Sequence, residues 1–302
     1  MNFEWFDTAN PVAVWWMFLA TVSAVNIAIW LVLYRQYRRP SDSQCDLFPA
    51  KLMLWLCAAY VFGCAFRSFI PRADVQRIVL FDHWISCVMV GRSVATVAEV
   101  CFVIQWALVL RYLGRMTNSH AVLSVSKLIV PMILVAEACS WYAVVTTSYL
   151  GNTVENSIWA LAFLLIGASL LRLMAEFRSL ARVALGLSLT GVAIYVGFLF
   201  IVDVPMYFGR WEADMVHGKP LFGLFAGIHD AATRWVVTHD IMHWVDEIAW
   251  MSLYFSAAVW SSLTMGGFAL IRHWLPMYRT STGGRRPFGT PIPARIRSET
   301  PL

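Results

Sequence analysis

Seven long apolar runs dominate this sequence and leave few folds open to it. A helix needs about 20 mainly apolar residues to cross the roughly 30 Å hydrocarbon core of a bilayer. Runs that reach or approach this length cover residues 11–34, 52–66, 93–110, 128–151, 156–171, 183–202 and 248–271. The second and fifth are short and must borrow flanking residues, thin the bilayer or stand upright. Apolar residues make up 59% of the 302 and charged residues 14%, more hydrophobic material than one soluble core of this size can hide. A soluble enzyme, a disordered chain, collagen and a coiled coil are excluded on the same grounds. The expected fold class is all-α: a polytopic integral membrane protein built as a seven-transmembrane helix bundle.

Basic residues set the orientation. If all seven runs cross, 16 of the 23 lysines and arginines fall on one side and 7 on the other. The positive-inside rule then puts the N-terminus outside and the C-terminus in the cytoplasm. The expected division is a transmembrane domain over residues 1–278, with the extracytoplasmic segment 203–247 as an interfacial roof, and a disordered basic cytoplasmic tail over 279–302. Within the roof, residues 221–237 read as an amphipathic helix lying in the interface. No Asn-x-Ser/Thr sequon is present, which fits a bacterial inner membrane. The arginines form no stripe interleaved with exposed aromatics, so nucleic acid is not an expected partner. Membrane lipid and other membrane proteins are.

The most informative local pattern is HDIMHWVDE, from His239 to Glu247. On a continuous helix at 100° per residue, His239, His243 and Asp246 share a face about 60° wide. Two imidazoles and a carboxylate with open positions suit zinc or non-haem iron. His229 or Asp230 is expected to complete or orient the sphere, with Asp240 and Glu247 flanking to hold the imidazole N–H groups. The alternative is a set of interfacial polar residues at the positive end of the last helix.

Charges inside spans form a second group. Glu99 and Glu137 each cost a few kcal/mol at depth unless protonated, paired or facing a wet cavity, so function is the default reading. Arg92 lies seven residues before Glu99 on the same helix side, close enough for a water-bridged ion pair. A third group, Arg67, Arg72 and Arg77 with Asp74 and Asp82, reads as solvated ion pairs on the outer side, or as an anion site.

These groups support three functions. The first is a metal-dependent enzyme, such as a hydrolase of a lipid or other amphiphile, with metal on His239, His243, Asp246 and His229 and with Glu99, Glu137 and Asp230 catalytic. The second is a proton- or ion-coupled transporter using Glu99 and Glu137. The third is a non-catalytic subunit of a membrane complex. A retinal Schiff base is excluded, because Lys51, Lys127 and Lys219 all lie outside the spans. The His239/His243 pair resembles the HxxxH beside the last span of seven-span membrane hydrolases of the alkaline ceramidase and adiponectin-receptor type. That resemblance covers nine residues and implies zinc. The early-helix serine and histidine of those hydrolases have no counterpart here.

Overall fold

The computed structural model describes residues 10–38 and 49–271. The tail expected over 279–302 lies outside them. The described chain is helical, with six helices long and apolar enough to cross a membrane, as an integral membrane protein requires. α1 (Pro11–Tyr37) starts on Asn10, whose side chain accepts from the Val12 amide, with proline at the first helical position. α2 (Ala50–Phe69), α3 (Val88–Met116), α4 (His120–Thr146) and α5 (Tyr149–Met174) follow. α6 (Ser179–Phe198) runs on through a π turn, Leu199–Asp203, into α7 (Val204–Val216). α8 (Leu224–Thr233) is short. α9 (Val245–Leu253), a second π turn (Tyr254–Ala258) and α10 (Val259–Ile271) form one contiguous run containing the seventh apolar segment.

The second and fifth helices do borrow flanking residues, α2 reaching 20 residues and α5 26, because Asn152, Glu155 and Asn156 interrupt the apolar pattern without breaking the helix. Three expectations need correction. The fourth run, 128–151, is not one helix, since α4 ends at Thr146 and α5 begins at Tyr149. The amphipathic helix expected over 221–237 shrinks to α8, and the chain beyond it turns extended as β3 (Val236–Val237). The stretch from His239 to Glu247 is not one helix either. Asp240 caps a 3-10 turn over Ile241–His243, accepting from the Met242 amide at 3.0 Å, and α9 starts only at Val245.

Polar side chains fasten the helices to one another. Gln105 on α3 donates to the carbonyls of Met53 and Ser262 and accepts from the Ser262 hydroxyl at 2.6 Å, joining α3 to α2 and α10. Asn26 on α1 donates to the carbonyl of Phe255, within the second π turn, at 3.0 Å. Small residues let backbones approach, as membrane helices do in place of a hydrophobic drive: a Cβ on Gly63 would lie 2.7 Å from that of Ala98.

A three-stranded sheet of two-residue strands ties the connection between α2 and α3 to the one between α8 and α9. β1 (Arg72–Ala73) pairs antiparallel with β2 (Ile78–Val79), and β2 pairs parallel with β3. Arg77, fully buried, clamps this roof to the bundle: it donates to Asp230 at 2.9 Å and to the carbonyls of Asp74 and Val144 at 2.6 Å each. α8 lies so close to the end of α4 that a Cβ on Gly227 would fall 1.9 Å from the Val145 carbonyl oxygen. Arg72 is buried against the Cys87 carbonyl and over the Phe66 ring. Its burial lowers its pKa to about 10. Arg67, Arg72 and Arg77 are therefore interior fasteners, not the solvated pairs expected from sequence.

Candidate functional site

Helical spacing delivers four charges to one point. Arg92, Thr96 and Glu99 stand on one side of α3 at positions i, i+4 and i+7; Glu137 and Trp141 are four apart on α4; Asn152 and Glu155 are three apart on α5. One guanidinium nitrogen of Arg92 donates to Glu137 at 2.7 Å and Glu99 at 2.9 Å, and lies 3.6 Å from Glu155. The Thr96 hydroxyl donates to Glu137 at 2.6 Å and accepts from the Trp141 indole, while Asn152 donates to Glu155 at 3.1 Å. All four charged residues are buried. Taking an ion out of water costs several kcal/mol, so such a group persists only where the pairing is close. The three carboxylates offer oxygens within 4.8 Å of one another, and among the described residues they are the one group of three or more such side chains able to hold a metal ion.

This cluster forms part of the wall of a cavity of about 930 Å³. The α3 lining residues Arg92, Glu99, Phe102, Trp106, Val109 and Leu113 form a helical stripe. Its 21-residue span corresponds to about 32 Å, the thickness of the hydrocarbon core. The polar lining gathers towards the end that holds Arg92, with Arg67, Asp74, Gln76, Asn152, Glu155, Asp203 and Glu247; the opposite end is almost wholly apolar. Both π turns contribute to the wall, through Leu199 and Asp203 on one side and Tyr254, Ala257 and Ala258 on the other. π turns inside α-helices recur at functional sites.

The histidines between residues 229 and 243 are arranged differently. His239 sits against the Leu80 carbonyl at 3.0 Å, in the chain that follows β3. His243 is exposed, with Asp240 at 3.7 Å. Asp246 is bonded to Arg210 at 2.5 Å, and His229 faces outward on α8 beside Thr233. Because the 3-10 turn breaks the helix between His239 and Asp246, the common face expected from the spacing does not form. Glu247 takes hydrogen bonds from Gln76 at 3.0 Å and Trp250 at 2.6 Å, not from an imidazole. Asp230 is occupied by Arg77 and Arg234. Burial pushes its pKa up, but hydrogen bonds from Arg234 and Arg77 outweigh this and hold it below the usual carboxylate value.

Of the residues expected to act, Glu99 and Glu137 are therefore brought together, with Arg92 in direct contact. Glu155 and Asp203 were missed. Glu155 falls one residue before the fifth apolar run, and its i, i+3 spacing from Asn152 was the available signal. Asp203 sits at the boundary of the sixth run, where a carboxylate reads as a helix end. No known protein family, curated protein or solved structure matches the chain.

Proposed function

We propose that this is a membrane carrier that takes an amphiphile from the bilayer into the cavity and couples its movement to protons through Arg92, Glu99, Glu137 and Glu155. The supporting observation is the convergence of three carboxylates on one arginine in the wall of a cavity as long as the bilayer core. Three acids against one guanidinium leave an excess of two negative charges. In a low-dielectric interior that excess must be met by protons or by a bound cation. Gaining or losing one proton changes which carboxylates Arg92 holds, and Arg92 and Glu99 touch the cavity directly. The reading includes seven crossings, with residues 245–271 as the last, an external N-terminus and a bacterial inner membrane as its location.

A test uses phosphatidylcholine proteoliposomes with an entrapped pH dye and NBD-labelled lipids bearing a cationic, an anionic or a zwitterionic head. Dithionite bleaching reads transfer between leaflets. The expected result is that at least one probe moves faster than in protein-free vesicles, that its movement shifts the internal pH, and that Glu99→Gln abolishes the shift. Transfer of all three at the protein-free rate would overturn the reading.

A metal-dependent enzyme acting on an amphiphile is the second reading, favoured by the close approach of the carboxylate oxygens of Glu99, Glu137 and Glu155. An ion there would have to displace the Arg92 nitrogen that already lies among them, which is why the carrier is preferred. Stoichiometric zinc or iron in the purified protein, lost in Glu155→Gln, would reverse that preference. The same analysis on His239→Ala with His243→Ala tests a metal at the outer histidines.

A further inference from the structure

Asp203 differs from every other carboxylate in the cavity wall. It is 7% exposed, sits on the π turn between α6 and α7, and lines the cavity, yet its side chain makes no hydrogen bond and no ion pair with any described residue. The others are engaged: Asp74 with Arg67 at 3.6 Å, Glu99 and Glu155 with Arg92, and Glu247 with Gln76 and Trp250. A buried carboxylate without a partner must hold a proton or be met by a cation, and its place in the cavity wall leaves room for the cation. The cavity as a whole leans the same way, since its lining has five carboxylates (Asp74, Glu99, Glu155, Asp203 and Glu247) against two guanidiniums (Arg67 and Arg92) and no lysine or histidine.

The rest of the cavity suits an acyl chain. Below Glu99 the wall continues through Phe102, Trp106, Val109 and Leu113, a rise of about 21 Å along α3, more than half the hydrocarbon thickness. The cavity is also open sideways. Leu180, Leu187 and Ile194, spaced by seven on α6, line it while remaining 60%, 70% and 59% exposed, and Trp260 on α10 does the same at 52%. In a bilayer these apolar edges face lipid, so a molecule already in the membrane can slide in without crossing water.

We propose that the ligand is an amphiphile with a cationic ammonium head group, seated with its charge at Asp203 and its chain along α3 towards Leu113. This rests on the amphiphile-carrier reading and names its ligand class. Tyr195, eight residues before Asp203, also lines the cavity, and aromatic rings of this kind are what ammonium recognition commonly uses. Asp203 here is a binding group, with no bond-making step assigned to it.

The test measures equilibrium binding of hexadecyltrimethylammonium, below its micellar concentration, to the full chain in phosphatidylcholine nanodiscs, with hexadecanoate and hexadecanol as competitors. Saturable binding of one cation per chain is expected, with neither competitor displacing it at equal concentration. Asp203→Asn should weaken binding at least about tenfold, the effect of losing one charge-assisted contact. Asp203→Glu should retain it. Displacement by hexadecanoate or hexadecanol, or unchanged affinity in Asp203→Asn, would overturn the proposal. If Asp203→Asn fails to fold, as read by its melting temperature, the competition on the wild-type chain decides alone. The two readings fail separately: loss of cation selectivity with Glu99-dependent coupling intact removes only the ligand class, and cation binding at Asp203 without transfer removes only the carrier.

Discussion

The buried cluster around Arg92 and the stretch from His229 to Glu247 are both rich in ionisable side chains, but they differ in how far those charges are withdrawn from water. In the stretch, near and distant partners are mixed. Asp230 is bonded to Arg234 four residues on and to Arg77 far away, Asp240 caps the Met242 amide, and His243 lies three residues from Asp240. Arg234, Asp240, His243 and Asp246 keep half or more of their side chains exposed. In the cluster a single nitrogen gathers carboxylates from three helices, one of them 45 residues away, and all are buried. Exposed pairs cost little, so a sequence full of histidines and acids is weak evidence of a site. A buried charge group exists only if the whole bundle holds it, and that expense is the better guide to function.

The largest effect expected is from Arg92→Leu. Removing the guanidinium leaves three buried carboxylates facing one another, and loss of one partner of a buried pair costs about 3–5 kcal/mol. Thermal unfolding in detergent should show a matching fall in stability, and a variant as stable as the wild type would mean that the cluster is not ionised as drawn.

An intermediate effect is expected at Asp230, which is held by two arginines. Arg234 and Arg77 keep its pKa below the ordinary 3.8. The native state therefore binds fewer protons than the unfolded chain, and the stabilisation is present above 3.8 and lost as pH falls through the native value. Melting temperature should drop on the acid side, and Asp230→Asn should cost about 2 kcal/mol at neutral pH and flatten that drop. An acid limb unchanged in the variant would show that the roof does not depend on this pair.

The smallest effect is expected from His239→Ala combined with His243→Ala. One hydrogen bond to the Leu80 carbonyl and one exposed contact are lost, amounting to about 1 kcal/mol. pH-coupled lipid transfer should be unaltered. Collapse of transfer in this double variant would reverse the comparison and make the stretch from His229 to Glu247 the functional one.

The sequence was legible where a single physical term dominates. Long apolar runs mark helices regardless of neighbours, and α1, α3 and the core of α6 fall where those runs lie, whereas the run 128–151 passes the end of α4 at Thr146 into α5. Arg92 and Glu99 could be paired because seven residues return to the same helix side. Glu155 could not be added to them, because its approach depends on how α5 packs against α3 and α4, and nothing in a linear pattern encodes that crossing. The two π turns left no signal either. One of them carries Asp203, which from sequence is merely a polar residue at the end of a span. The 3-10 break at Ile241–His243 was detectable in principle, since aspartate before a short apolar pair favours a cap, but the regular spacing of His239, His243 and Asp246 outweighed it.

The central claim is that Arg92 and the carboxylates form one interacting unit. Its most direct measurement is a double-mutant cycle on stability with Arg92→Leu, Glu137→Gln and both together. If the pair is coupled at 2.7 Å, the double variant should be more stable than the sum of the single losses implies, by about 1–3 kcal/mol, because the second change relieves the charge that the first exposed. Additive losses would contradict the account.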